Sequence, residues 1–373
     1  MRWGWRRGRG KVLAVAMAAV VVGGVAPVWG AGGAVAATRD VGVDSRDGRV
    51  VPGVEREVRF TVDGVTAYGT VRVPAHRVGR RIAAALLIPG SGPTDRNGDQ
   101  PPGFTPHTLA LVAEGLGADG VMSLRFDKYG TGRTGMGGRH TAPDMAAYTR
   151  QAVAAYEVLR AQPEADPRAM LVVGHSEGGL QALLVDRAVA VKPAGLALLA
   201  PQGMRLLDMI AFQVADGLDR AVRAGQISRE EGEVNKRGVA RAIAAFRGGR
   251  EVDTAGLLPS VAALLEGMFG PVNGDFVRSD DAIDPAVVAR GVAPRTRTLV
   301  TCGTADANVP CRTVPGLMAG LAAARTTGPG LRVLPGVDHL LHQAGTPVND
   351  RVLASGVRRV LHEFVRPWRS GVR

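Results

Sequence analysis

The sequence predicts an α/β protein with a mostly parallel sheet covered on both faces, and three observations lead there. Buried-strand candidates recur at Ile82 to Ile88, Val121 to Phe126, Leu171 onward, Gly195 to Ala200 and Thr298 to Cys302. The first of them is a continuous apolar run, as a strand covered on both faces requires. Segments with helical spacing alternate with these strands, which implies crossover connections and a parallel sheet. Polar residues able to do chemistry directly follow the strands, at the edge where open α/β sheets bind ligands.

The chain has 373 residues, 46% of them apolar, enough for a sizeable core in one large or two ordinary domains. Residues 1–37 read as a signal peptide. Arg2, Arg6, Arg7, Arg9 and Lys11 precede an apolar run from Val12 to Val28, then the small residues Ala34 to Ala37. Gly23, Gly24 and Pro27 favour cleavage near Ala36 or Ala37 over an uncleaved anchor, and Arg6-Arg7 leaves a twin-arginine route open. The leader carries five of the twelve net positive charges. The remaining arginines are scattered without aromatic interleaving, which argues against a nucleic-acid partner. Cys302 and Cys311 are the two cysteines. In an exported chain they are expected to form a disulfide, the alternative being two buried thiols. No His or Glu lies between them to complete a metal site.

Residues 38–53 read as a linker. Val54 to Phe60 and Thr66 to Val73 alternate and turn around Asp63-Gly64, which predicts an antiparallel hairpin on a sheet edge. Ile82 to Ile88 runs into a glycine-rich loop, Pro89 to Asp99, able to turn backbone N–H groups toward a ligand; an ordinary turn is the plain alternative. Asp95, Asn97 and Asp99 have the spacing of a calcium loop, but Gln100 and Pro106 stand where Gly and Glu are needed, so no metal is expected. A helix over Thr108 to Gly117 and a strand over Val121 to Phe126 follow. The polar end of that strand, Asp127-Lys128, is expected to line or brace the site. Met145 to Arg160 predicts an amphipathic helix before the central strand. A core over 54–200 is thus interrupted by 201–290, a mainly helical stretch with apolar faces at Leu206, Leu207 and Ile210 and again at Val261, Leu264 and Leu265. It is expected to cap the C-terminal edge of the sheet, the alternative being a packing element away from it. The core resumes over 291–373, with a last strand at Leu331 to Leu334 and a final helix from Asp350 to Val365.

The chain is organised around Leu171 to Leu180. An apolar run ends in Gly174-His175-Ser176-Glu177-Gly178 and a helical segment follows, which reads as strand, tight turn, helix with Ser176 at the apex. With 51 Gly and 9 Ser, about 0.2 such patterns are expected by accident, so the pentapeptide gains its weight from this context. Asp306 follows a later strand and His339 the last one. A serine hydroxyl needs a neutral imidazole to take its proton and a buried carboxylate to hold that ring, so Ser176, His339 and Asp306 are the expected nucleophile, base and acid. His342 is the spare base. Asp338 is a poor acid, because adjacent residues rarely bring carboxylate and ring into line.

The combination of Gly90-Ser91-Gly92-Pro93 with Asp95-Arg96, Arg125-Phe126-Asp127-Lys128 with Gly130, the Ser176 pentapeptide, Gly303 with Asp306 and Val309-Pro310, and Asp338-His339 resembles the bacterial α/β-hydrolases. Within them it is similar to serine esterases, dienelactone hydrolases and serine aminopeptidases. The resemblance implies the α/β-hydrolase fold over about residues 54–366, no cofactor, and oxyanion donors at the N–H groups of Ser91 and Glu177. Tyr129 departs from the pattern, since similar sequences often carry Arg after Asp-Lys. The expected activity is hydrolysis of a small carboxylic ester. A serine aminopeptidase or prolyl-type peptidase acting on short peptides is the alternative, and so is a binding protein that keeps the fold without turnover. Any membrane association would run through an uncleaved leader. Chain length of the acyl group and oligomeric state are not encoded in these motifs.

Overall fold

The computed structural model describes residues 49–369. The expected signal peptide and most of the expected linker lie outside the described residues. Two short strands, β1 (Val50–Val51) and β4 (His76–Arg77), pair antiparallel. Between them β2 (Val54–Val62) and β3 (Val65–Val73) form the hairpin, turning at Asp63 and Gly64, both with positive φ. The chain then alternates: β5 (Ile82–Ile88), α1 (Thr108–Ala118), β6 (Met122–Phe126), α2 (Met145–Arg160), β7 (Ala165–His175), α3 (Glu177–Ala188) and β8 (Gly195–Leu199). Five helices follow before the sheet resumes: α4 (Leu206–Arg223), α5 (Arg229–Arg247), α6 (Pro259–Phe269), α7 (Gly274–Asp281) and α8 (Pro285–Ala289). β9 (Arg297–Gly303), α9 (Pro315–Ala323), β10 (Thr327–Leu334) and α10 (Ser355–Val365) complete the fold.

One sheet holds eight strands in the order β10-β9-β8-β7-β5-β6-β3-β2. The strands from β10 to β6 are parallel, and the hairpin adds to β6 antiparallel at the edge. The apolar run of β5 shows why both faces are covered. Ile82, Ala84, Leu86 and Ile88 face a core shared with α2, α3, α8 and α9, while Ala83, Ala85 and Leu87 face one shared with α1 and α10. Period-two alternation thus feeds two apolar layers from one strand. The helices between β8 and β9 have an apolar cluster of their own, including Leu207, Ile210, Val239, Phe246, Val261 and Leu265. Among the described residues no helix is long and apolar enough to cross a membrane.

Three boundaries differ from the expected ones by more than two residues. β10 begins at Thr327, four residues before Leu331. Gly328 and Gly330 adopt positive φ and the register shifts between Thr327 and Gly330, so this end of the strand lacks any alternating pattern. β7 begins at Ala165 and runs through Pro167 to the elbow. The last helix begins at Ser355 and not at Asp350, because the preceding residues are extended: Leu353 and Ala354 are buried in the core and Ala354 N–H donates to the Leu341 carbonyl at 3.0 Å.

The closest approach of layers is at the end of β7. A Cβ on Gly174 would overlap the Gly178 carbonyl, and one on Gly178 would overlap the Ile88 carbonyl and lie 2.7 Å from that of Pro89. Backbone has no room to yield there. Gly178→Ala is therefore expected to lower unfolding free energy by about 1–3 kcal/mol or more, measured by urea denaturation. Gly103→Ala, where nothing lies within 4 Å of the added carbon, should stay within about 0.5 kcal/mol of the native chain.

Candidate active site

At the apex between β7 and α3, Ser176 adopts φ 57° and ψ −123°, a conformation that a side chain tolerates only where its surroundings enforce it. Three hydrogen bonds do so. Ser176 N–H donates to the Leu199 carbonyl at 3.0 Å, and the Ser176 carbonyl accepts from Gly179 N–H at 2.9 Å and Gln202 N–H at 3.1 Å. The side chain emerges at the C-terminal edge of the sheet.

His339 and Asp306 meet it there. His339 Nδ1 donates to Asp306 Oδ2 at 2.9 Å, which fixes the tautomer and leaves Nε2 as acceptor for the Ser176 hydroxyl at 3.0 Å. Asp306 lies in the loop after β9, its carboxylate fully buried. Its second oxygen accepts from Asn308 N–H at 2.8 Å and Val309 N–H at 2.7 Å. Burial alone would raise the Asp306 pKa, but His339 and these two N–H groups more than offset that and hold it below the ordinary carboxylate value. For His339, burial pulls the pKa down; the Asp306 charge and hydrogen bond, with a smaller contribution from Asp338, outweigh it, so the pKa stands above 6.5. Cys302 and Cys311 are joined in a disulfide, Cα to Cα 5.1 Å, that closes the Asp306 loop at both ends. His342 is not brought to Ser176: it is fully buried and its Nε2 lies 3.3 Å from the Pro106 carbonyl. Asp338 accepts from Leu340 and His342 N–H groups and so shapes the turn that carries His339.

The loop after β5 lies against the elbow: a Cβ on Gly90 would come within 3.2 Å of Ser176 Cβ. Neither the Ser91 nor the Glu177 N–H donates to a protein acceptor among the described residues. The rest of the loop is tied down. Asp95 Oδ1 accepts from Asn97 and Asp99 N–H groups, Arg125 Nη1 donates to Asn97 Oδ1 at 2.7 Å, and Asp99 holds the His107 backbone at 2.7 Å and its ring at 2.9 Å. Asp127, buried at the end of β6, accepts from Arg96 N–H, Nε and Nη2 and from Arg133 N–H. The Asp95-Asn97-Asp99 spacing thus serves the loop itself, and among the described residues no group of acidic, His and Cys side chains is arranged to hold a metal.

Sequence reading missed two contacts. His175 Nε2 donates to the His339 carbonyl at 2.7 Å. Burial, and then the neighbouring His339 charge, hold its pKa down to about 3, so the ring stays neutral and braces the turn bearing His339. Lys128, buried, donates to the Gly90 carbonyl at 2.5 Å and lies 3.9 Å from Glu177 Oε1. Burial pushes the Lys128 ammonium down and the Glu177 carboxyl up, each opposed by the other's charge. Both partners are backbone or distant side chains, so residue type gave no sign of them; only the position of Asp127-Lys128 after a strand pointed to bracing.

Two outcomes follow from this geometry. A base that must be neutral loses its function as pH falls through its pKa, so hydrolytic activity should rise with pH through an inflection above 6.5. Asp306→Asn should move that inflection downward and cut kcat by about 10⁴-fold, read from pH–rate profiles on one ester. Opening the disulfide should destabilise the fold by about 2–3 kcal/mol and reduce activity by loosening Asp306, read by comparing Cys302→Ala/Cys311→Ala with the native chain in thermal unfolding and turnover.

Residues 105–241 match the family model described as serine aminopeptidase, S33, a span that includes Ser176 and stops before Asp306 and His339. No curated protein matches the chain. Among solved structures it is similar to the esterase PF2001 of Pyrococcus furiosus, with a TM-score of 0.53 and 15% identity over 85% of this chain and 92% of that one. It is similar also to Est1E of Butyrivibrio proteoclasticus, solved with ferulic acid bound, at a TM-score of 0.52 and 16% identity over 83% and 98%. An α/β-hydrolase from Penicillium sp. sh18, GrgF, gives 0.51 and 17% over 84% and 99%. Strand order, elbow and the likeness to these solved structures agree that the chain has the α/β-hydrolase fold.

Proposed function

We propose that the chain is an exported serine hydrolase that cleaves small carboxylic esters through an acyl-enzyme. The observation that carries this reading is the unbroken line from Asp306 through His339 to the Ser176 hydroxyl, at 2.9 and 3.0 Å. Ser176 Oγ attacks the ester carbonyl while His339 Nε2 takes its proton, and Asp306 stabilises the imidazolium that forms. The carbonyl oxygen becomes an oxyanion, received by the N–H groups of Ser91 and Glu177. As the intermediate collapses, His339 gives the proton to the departing alcohol. Water then repeats the cycle on the acyl-serine and regenerates the hydroxyl.

Helices α4 to α8 serve as a cap in this reading. Gln213 of α4 donates to the Asn308 carbonyl at 2.8 Å, and Arg312 pairs with Asp216 at 3.1 Å, so the insertion is tied to the Asp306 loop. The disulfide suits an oxidising compartment outside the cytoplasm.

The S33 match favours a second reading, a peptidase acting on a free N-terminus. Such a substrate needs an accessible anion for its ammonium group. The Glu177 carboxyl at the start of α3 is buried beside Lys128, and that of Asp280 is buried and accepts from Gln202 at 2.8 Å. That arrangement supports the esterase over the peptidase.

A fluorophosphonate probe should label the native chain and fail to label Ser176→Ala, whose ester turnover should drop on the order of 10⁶-fold. Persistent labelling in the variant would remove Ser176 as nucleophile, and an unlabelled native chain would favour a binding protein. On a panel of aryl esters of increasing length beside aminoacyl and prolyl amides, ester kcat/KM should exceed amide kcat/KM by at least about a hundredfold.

A further inference from the structure

We propose that Lys128 is a positioning residue for the oxyanion site, acting through the Gly90–Ser91 peptide. The inference rests on the serine-hydrolase reading above, in which Ser91 N–H receives the oxyanion. The contact is specific: Lys128 Nζ donates to the Gly90 carbonyl at 2.5 Å from the end of β6, and the side chain is nearly inaccessible to solvent. Among the described residues the one cis peptide joins Pro101 to Pro102, so the Gly90–Ser91 peptide is trans. In a planar trans peptide the C=O and the following N–H are locked in opposite directions. Holding the Gly90 oxygen therefore fixes where the Ser91 N–H points, without Lys128 approaching the substrate.

The same contact strengthens the donor. An ammonium on a carbonyl polarises the amide, and its N–H becomes a better donor to a developing negative charge. Glycine at position 90 is what allows the peptide to lie against the elbow, since an added Cβ would crowd Ser176 Cβ at 3.2 Å and His175 Nδ1 at 3.4 Å. Without a Cβ, however, the backbone of residue 90 has more freedom than that of a residue with a side chain. Arg96 and Asn97 are held by Asp127 and Arg125 farther along; at Gly90 the restraint is Lys128.

The test uses the whole mature chain, with 4-nitrophenyl acetate as substrate and rates expressed per site titrated by a fluorophosphonate. Lys128→Met should lower kcat by about 10–100-fold with KM within about threefold of native. The pH inflection of His339 should not move, and affinity for a trifluoromethyl ketone, whose serine adduct carries an oxyanion, should fall in parallel with kcat/KM. A general structural lesion would instead reduce the number of titratable sites and leave the rate per site intact. Lys128→Met with kcat per site within about twofold of native, or with kcat lost while the ketone binds as before, overturns the role. Because this substitution leaves Glu177 buried opposite an apolar side chain, Lys128→Met/Glu177→Gln is measured against Glu177→Gln, and the same loss is expected. If neither the single nor the double variant folds, Lys128 is structural and the positioning role is overturned. Turnover that persists in Ser176→Ala would instead overturn the serine-hydrolase reading. Turnover lost there but kept in Lys128→Met overturns the Lys128 role alone.

Discussion

The site depends on one close approach, that of the β7 end to the start of α3, where Gly174 and Gly178 meet backbone to backbone. Only with no Cβ at either position can the chain reverse within so few residues. The reversal forces Ser176 into a positive-φ conformation that costs of order 1–3 kcal/mol. The cost is met by fixed partners, since β8 accepts the Ser176 N–H through Leu199 and the segment leaving β8 binds its carbonyl through Gln202. Strain at the apex and order around it are thus two aspects of the same packing, and the hydroxyl is held out where a second and a third segment reach it.

Those segments have a distance to cover. Neighbouring strands are about 4.8 Å apart, so in the order β10-β9-β8-β7 the strand before His339 lies three spacings from the strand before Ser176, or about 14 Å, and that before Asp306 two spacings. The loops after β9 and β10 close the gap by leaning toward the elbow together. Thr304 and Ala305 N–H groups donate to the Leu334 and Val337 carbonyls at 3.0 Å each, and Gly303 has no Cβ because the Val337 carbonyl occupies that place. Asp338 then tightens the turn by accepting from two N–H groups beyond His339. The disulfide at the far side of the Asp306 loop gives this pair of loops a covalent edge.

How far the sequence disclosed this follows from the range of each interaction. β5 was legible to the residue because a strand packed on both faces must be apolar throughout, and α2 because its buried stripe from Met145 to Leu159 is apolar apart from Gln151. The meeting of Ser176, Asp306 and His339 was legible because each follows a strand at the same edge of the sheet. The start of β10 was not, since Gly328, Pro329 and Gly330 are poor strand formers and the pairing with β9 skips Gly328 and Pro329. Nor was the extended segment before α10, where burial of Leu353 overrides a pattern compatible with helix. His175 and Lys128 were hidden for a further reason. Their partners are carbonyl groups, which every residue has, 164 and 38 positions away. Backbone acceptors leave no trace in residue type.

The ionisable groups behind the elbow obey a sign constraint. A carboxylate beside the place where an oxyanion develops would oppose it, more strongly in a low-dielectric interior than in water. Glu177, the residue after Ser176, carries a buried carboxyl group. Lys128 at 3.9 Å neutralises it as a pair. Asp280, next in the cluster, has its pKa pushed up to about 8 by burial first and by Glu177 second, so at neutral pH it is chiefly protonated and adds little negative charge. Gln202 completes the arrangement by donating to Asp280 Oδ1 at 2.8 Å. The cluster is close to neutral as a whole, and its one cation is the group that touches the Gly90 carbonyl. Electrostatics and hydrogen-bond geometry therefore act in the same direction at the Ser91 N–H. Above about pH 8 this balance shifts as Asp280 ionises, which adds a negative charge to the buried cluster.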